Sequence, residues 1–137
     1  MRFSDIVATA YINHENSGCY KLGNWKDCMA GTEESEVVGI LKPYITRTFM
    51  KDTYTCFTPE FTDYIKTHKY DKVYFCGIDT GCCVLASVFS CYDMVQDCAV
   101  ISDLCGSMNG QTSWNSAIQL LKENITEERV ISSLAFL

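Results

Sequence analysis

Near-continuous apolar runs, rich in β-branched and aromatic residues, constrain the fold of this chain more than any other feature. KVYFCG and CAVIS leave no polar face, so each predicts a strand that is covered on both sides, as in a parallel sheet flanked by helices. Five strands are predicted, over residues 5–12, 44–49, 72–77, 97–102 and 129–135, and most of them are too apolar to have one solvent-exposed face.

Helical patterns separate these strands, over residues 33–41, 59–67, 81–94 and 111–124. Thr58 precedes a favourable first-turn proline, Thr80 is placed to cap the third helix, and Thr112 or Ser113 is placed to cap the fourth. The alternation of strand and helix predicts an α/β fold, a three-layer doubly wound parallel sheet with right-handed crossovers. The irregular stretch 13–32 predicts a functional loop.

Length and charge limit the classes of function. With 137 residues, of which 47% are hydrophobic and 20% charged, the chain is predicted to form one globular domain over residues 1–137. A net charge of −6, with scattered lysines and arginines, gives no basis for binding nucleic acid. No apolar run approaches the length that crosses a membrane, so a membrane partner is not expected either.

Nine cysteines raise the question of a disulfide scaffold. Their number is odd, no export signal precedes them, and several lie inside apolar runs, where a free thiol behaves as a small hydrophobic side chain. Their spacing does not resemble that of a structural zinc site. Reduced thiols and a cytoplasmic location are therefore predicted.

The segment GIDTGCC carries the chain from the strand KVYFCG into the third helix. Ligands of open parallel sheets bind beyond the carboxyl ends of the strands. The amides of a helical first turn also stabilise a thiolate or an oxyanion there. Cys82 and Cys83 lie in that turn, although a cysteine near a strand end more often has only a packing role.

A longer stretch around these cysteines, GIDTGCCVLASVFSCYDM, resembles the nucleophile segment of the isochorismatase-like cysteine hydrolases. That superfamily includes nicotinamidases and N-carbamoylsarcosine amidases. Gly81 takes the place of the aspartate that is usual in the family's pattern. The positions that match are Gly77, Thr80, Cys83 and Val84. The resemblance implies that Cys83, and not Cys82, is the nucleophile.

The same resemblance implies further members of the site. The backbone amides of Asp79 and Cys83 would form the oxyanion hole, and the peptide bond between Ile78 and Asp79 is expected to be cis. Upstream, Lys51 in MKDTYTCFTPEFTDYI matches the family's lysine, whose positive charge would stabilise the thiolate. The candidates for a substrate pocket are Trp25, Tyr11, Phe57 and Thr80, with Tyr20 as a further aromatic candidate, and any of the aromatic residues could equally belong to the core.

The stretch NWKDCMAGT is similar to a segment of the nicotinamidase branch that carries a metal ligand. Asp27 stands where that branch has a histidine, and Ile12-Asn13-His14 stands where it has an Asp-x-His pair. One histidine cannot hold a catalytic metal, so His14 is expected to be a loop residue or a substrate wall. We predict no metal and no other cofactor.

The third catalytic residue of the family, an aspartate at the end of its first strand, has no counterpart in this sequence. The resemblance therefore predicts an N-terminally truncated domain whose first strand and helix are absent. A truncated product, a strand supplied by another chain and a sheet that has closed up all remain open, and a homo-oligomer is expected. Asp79, Glu15 and Asp27 are the possible substitute carboxylates.

The function that the resemblance implies is hydrolysis of an amide or related C–N or ether bond of a small molecule by a cysteine thiolate. The alternative is a catalytically inactive family member, a pseudoenzyme, with a binding or assembly role. A redox sensor built on Cys82 and Cys83 is disfavoured, because adjacent cysteines form a disulfide only with strain. The identity of the substrate stays open.

Overall fold

The structure is a computed structural model that describes residues 3–137. Met1 and Arg2, which the predicted domain includes, lie outside the described residues. The described chain forms two compact units, residues 3–56 and residues 57–137, which we call the N-terminal and C-terminal units. Both contain parallel strands and helices, so the prediction of an α/β fold is confirmed.

The N-terminal unit is built on a two-stranded parallel sheet of β1 (Val7–Tyr11) and β2 (Arg47–Lys51). The pairing runs in register from Val7 opposite Arg47 to Tyr11 opposite Lys51. Between the strands lie a short helix, α1 (Gly18–Lys21), and two 3₁₀ turns, Glu33–Ser35 and Lys42–Tyr44. The two strands therefore end side by side, which places the loops that follow them at one edge of the sheet.

The predicted helix over residues 33–41 is wrong. Only a single 3₁₀ turn forms at its start, and the chain is extended at Glu36. The segment that follows, VVGI, combines three β-branched residues with a glycine, which are all poor helix formers. The strand predicted over residues 44–49 begins later, at Arg47, because the turn Lys42–Tyr44, with its proline, occupies the expected start.

The C-terminal unit has a three-stranded parallel sheet in the order β3, β4, β5, formed by Val73–Ile78, Cys98–Gly106 and Val130–Ile131. Its helices are α2 (Pro59–His68), α3 (Leu85–Asp93) and α4 (Gln111–Ile125). A π-helical turn, Thr80–Val84, joins β3 to α3. The predicted helices over residues 59–67, 81–94 and 111–124 are confirmed with small shifts at their ends.

The core of the C-terminal unit lies between α3, α4 and β4. β4 begins with four consecutive buried residues, Cys98 to Ile101, as the apolar run in the sequence predicts. The buried side chains that pack together are Val84, Val88, Cys91, Cys98, Val100, Ile118, Leu121 and Ile125. Val84, the last residue of the turn before α3, belongs to this core, so packing anchors the turn.

Helix starts differ in how well the sequence predicts them. The Thr58 hydroxyl accepts a hydrogen bond from the backbone N–H of Phe61, so the predicted cap of α2 is confirmed. Thr80 does not cap the third helix, because Asp79 holds that position instead. α4 begins after Gly110, whose position carries no side-chain cap, so neither Thr112 nor Ser113 has the predicted role.

The last predicted strand, residues 129–135, is shortened to Val130–Ile131. Beyond it the Asp103 carboxylate accepts hydrogen bonds from the backbone N–H and the hydroxyl of Ser133, and a 3₁₀ turn, Ser133–Phe136, replaces the strand. β4 is longer than predicted and reaches Gly106. Across residues 3–137, no helix combines the length and the apolar character needed to cross a membrane.

Candidate active site

The turn that carries Cys83 follows directly from β3 and continues into α3. The carbonyl oxygen of Asp79 accepts hydrogen bonds from the backbone N–H groups of Cys82, at 3.2 Å, and Val84, at 3.1 Å. The thiol of Cys83 is half-buried, and the peptide bond between Ile78 and Asp79 is cis, as the resemblance implies. Cys83 is thus held between two residues whose amides share one acceptor.

The carboxylate of Asp79 forms a second set of contacts around the turn. Its Oδ1 atom accepts from the backbone N–H of Gly81 at 2.8 Å. Its Oδ2 atom accepts from the backbone N–H of Met108 at 2.6 Å and from the Ser107 hydroxyl at 3.1 Å. Asp79 therefore connects the start of the helix to the loop that follows β4.

Thr80 is fully buried, and its hydroxyl donates to the carbonyl oxygen of Gly106 at 2.7 Å. This hydrogen bond ties a second residue of the turn to the end of β4. Thr80 remains a predicted pocket residue, although its hydroxyl is already engaged within the protein.

The location of this turn suits nucleophilic chemistry. β3 and β4 are parallel and paired at their carboxyl ends, where Ile78 lies opposite Gly106. Loops at this edge of a parallel sheet are the usual place for a ligand. A cysteine in the first helical turn also experiences the positive end of the helix dipole, which stabilises a thiolate.

Lys51 lies at the end of β2 in the N-terminal unit and is buried, with 6% of its surface exposed. Its ammonium donates to the carbonyl oxygens of Thr53, at 2.7 Å, and Tyr54, at 2.8 Å. It also lies 5.3 Å from the centroid of the Tyr11 ring. A buried lysine needs such partners, because an unpaired buried charge is costly.

Two of the predicted pocket residues, Tyr11 and Trp25, meet in the N-terminal unit, where their ring centroids are 5.7 Å apart. Burial raises the pKa of the Tyr11 phenol to about 12, and the neighbouring Cys19 adds to the rise. The phenol is therefore protonated at neutral pH. This aromatic pair adjoins the ammonium of Lys51 through the Tyr11 ring.

Asn13 and His14 follow β1 and have different surroundings. Asn13 is fully buried, and its side-chain amide donates to the carbonyl oxygens of Trp25 and Asp27. It therefore orders the loop that carries Trp25. His14 is exposed and forms a 2.9 Å contact with the Asp52 carboxylate. That contact fits a loop residue, which is one of the two roles expected for His14.

Phe57 packs against the core of the C-terminal unit. Its ring lies 5.1 Å from that of Phe61 and 6.4 Å from that of Phe75. This packing is the core role that the sequence left open beside the role of a pocket wall. A cavity of about 550 Å³ lies in the N-terminal unit, and none of the predicted site residues lines it.

Three other thiols of the C-terminal unit are either shielded from solvent or held un-ionised. Cys91 and Cys98 are fully buried. Burial raises the pKa of the Cys105 thiol to about 11, so this group is almost entirely un-ionised at neutral pH. Cys105 therefore serves as an internal reference for the reactivity of Cys83.

Among residues 3–137, no three His, Cys, Asp or Glu side chains cluster closely enough to hold a metal ion. The predictions of no metal and no cofactor stay predictions.

Sequence reasoning missed the contacts of the Asp79 carboxylate. Asp is among the residues preferred immediately before a helix, and Asp79 precedes Thr-Gly at the junction of strand and helix. The sequence therefore contained a local signal for Asp79 as the residue that caps the helix. Its contacts with Ser107 and Met108 join positions 28 and 29 residues apart, and no local pattern announces them.

A family model described as "Isochorismatase domain" matches residues 5–131 of the chain. No curated protein sequence gave a significant match.

Several solved structures are similar to this fold. An isochorismatase-like hydrolase from Alkaliphilus metalliredigens superposes with a TM-score of 0.83 at 17% identity, covering 96% of this chain and 71% of that one. A nicotinamidase from Bacillus subtilis has a TM-score of 0.81 at 16% identity, covering 94% and 76%. A pyrazinamidase/nicotinamidase from Streptococcus mutans has a TM-score of 0.76 at 17% identity, covering 93% and 76%. At these identities the likeness shows the fold.

Proposed function

Because this chain belongs to the isochorismatase family, whose members are hydrolases, we propose that it hydrolyses a small-molecule amide with Cys83 as the nucleophile. The observation that carries the proposal is the place of Cys83, in the first helical turn after β3 at the carboxyl edge of a parallel sheet. A thiolate is stabilised there, and a ligand can approach it.

The chemistry follows from that position. The Cys83 thiolate attacks the carbonyl carbon of the amide, and the backbone amides of Cys83 and Asp79 stabilise the oxyanion that develops. The C–N bond then breaks, and the amine leaves after taking up a proton from a general acid. Water hydrolyses the resulting thioester, which releases the carboxylic acid and restores the thiol.

Lys51 is the candidate for the positive charge that favours the thiolate, an assignment that rests on the resemblance of its surrounding sequence. The amides to test first are nicotinamide and pyrazinamide, because nicotinamidases and pyrazinamidases are among the structural neighbours. A homo-oligomer and a cytoplasmic location remain sequence-based predictions.

Selective alkylation tests whether the site is reactive without knowledge of the substrate. Native protein treated with limiting iodoacetamide at pH 7.5 is expected to react at Cys83 about tenfold faster than at Cys82, Cys19 or Cys28, because only Cys83 is proposed to be an activated thiolate. Peptide mapping by mass spectrometry measures the rate at each cysteine.

Cys105 provides the control in the same experiment. With its pKa raised to about 11, roughly one molecule in three thousand carries the Cys105 thiolate at pH 7.5, so its labelling is expected to be slow and to increase as the pH rises. If Cys83 reacts no faster than Cys19 and Cys28, the proposal of an active cysteine fails and the pseudoenzyme alternative is favoured.

A further inference from the structure

The three hydrogen bonds that the Asp79 carboxylate accepts leave little capacity for it to act in chemistry. An ionised carboxylate is an acceptor only, and both oxygens of Asp79 are already engaged, Oδ1 by the Gly81 amide and Oδ2 by the Met108 amide and the Ser107 hydroxyl. A general base needs a free lone pair that is directed at the proton it takes, and three of the roughly four lone-pair positions of this carboxylate are already occupied. This environment therefore argues against Asp79 as a substitute base.

The same residue controls the position of Cys83 through its backbone. Its carbonyl oxygen accepts from the amides of Cys82 and Val84, the residues on either side of Cys83. Any rotation of Asp79 would break or lengthen these two contacts and would reorient the intervening cysteine. The orientation of Asp79 is set in turn by its carboxylate.

The Asp79 carboxylate is bound by the loop that follows β4. Met108 and Ser107 belong to the loop after β4, and the Ser107 hydroxyl also accepts from the backbone N–H of Asn109. One residue along the turn, Thr80 is attached to Gly106 at the end of the same strand. Two neighbouring attachments fix the direction of the turn as well as its position.

From these contacts we propose that the Asp79 side chain is a positioning residue for Cys83, which holds the nucleophile turn against the loop 107–109. The expected effect of Asp79 on turnover rests on the proposed function. Its effect on the reactivity of Cys83 is independent of any substrate.

Asp79→Asn is the sharpest test, because it keeps the size of the side chain and the acceptor for Gly81. The new amide nitrogen would face the Met108 N–H as a second donor. Alkylation of Cys83 by iodoacetamide at pH 7.5 is expected to slow roughly three- to tenfold, since the thiolate leaves its favourable place in the helical turn. Removing a negative charge without moving the cysteine would instead speed up alkylation.

Turnover gives a second measurement where the parent protein hydrolyses an amide. Asp79→Asn is expected to lower kcat about 10- to 100-fold with little change in KM, because misplacement of a reacting group acts on the chemical step. The pH profile of kcat should keep its shape. A profile that loses its acidic limb would identify Asp79 as a base and overturn the proposal.

Ser107 supplies a milder pair of variants in case Asp79→Asn does not fold. Ser107→Ala removes one of the three donors and is expected to slow alkylation of Cys83 about twofold, whereas Ser107→Thr keeps the hydroxyl and should retain the parent rate. Circular dichroism checks that each variant is folded. Folded Asp79→Asn with unchanged or faster alkylation, or equal rates for the two Ser107 variants, overturns the proposal.

The outcomes separate this inference from the proposed function. If the parent protein hydrolyses no amide of the panel but Asp79→Asn still slows alkylation of Cys83, the hydrolase proposal is weakened and the positioning role stands. If the parent is active and Asp79→Asn is equally active, the positioning role fails and the hydrolase proposal stands.

Discussion

Replacing Cys83 with alanine is expected to lower amide hydrolysis by about 10⁴-fold or more, because loss of a covalent nucleophile removes the path through the thioester. The substitution removes one sulfur atom from a half-buried position, so the fold should persist. Release of ammonia from nicotinamide, pyrazinamide and a panel of further primary amides measures the effect.

Cys82→Ala is the matched control, since it removes the same group from the preceding residue of the same turn. Successive residues of a helical turn point in clearly different directions, about 100° apart in an α-helix, so the two thiols are not expected to occupy one site. Cys82→Ala is expected to keep turnover within about threefold of the parent. Equal losses in the two variants, or full activity of Cys83→Ala, would contradict the assignment.

Leu121→Ala is expected to cause a large loss of stability, about 3 kcal/mol in the free energy of unfolding. Leu121 is fully buried and lies on α4 in the cluster with Val88 and Cys91 of α3 and Val100 of β4. Its truncation would leave a cavity in the core that supports the nucleophile turn. Urea denaturation followed by circular dichroism measures the change.

Leu120→Ala provides the comparison, because Leu120 is the adjacent residue of the same helix with 45% of its surface exposed. It is expected to cost less than about 1 kcal/mol. If the two variants were equally destabilised, the face of α4 that forms the core would have been assigned wrongly.

Local patterns in the sequence were sufficient for the elements around Cys83. The apolar runs of β3 and β4 and the Thr58-Pro59 start of α2 each combine a periodicity with a boundary signal. The segment over residues 33–41 lacked that agreement, since its polar start suggested a helix and its β-branched residues and glycine opposed one. There the chain formed only a turn.

Part of the candidate site could likewise be predicted from local sequence, and part of it could not. The turn with Cys83 could be predicted because strand, turn and helix follow one another in the sequence, and the resemblance then selected between two adjacent cysteines. The contacts of Asp79 with Ser107 and Met108 depend on how β3 pairs with β4. The buried ammonium of Lys51 likewise depends on the carbonyl oxygens of Thr53 and Tyr54, which accept its hydrogen bonds in the loop after β2.

Direct detection of the acylated cysteine tests the central claim, that Cys83 is the nucleophile. Protein turning over the best amide of the panel is quenched in acid within its steady state, and tandem mass spectrometry locates any acyl group. We predict a thioester on Cys83 that is absent from Cys83→Ala. Turnover without an adduct on Cys83, or with an adduct on another cysteine, would contradict the account.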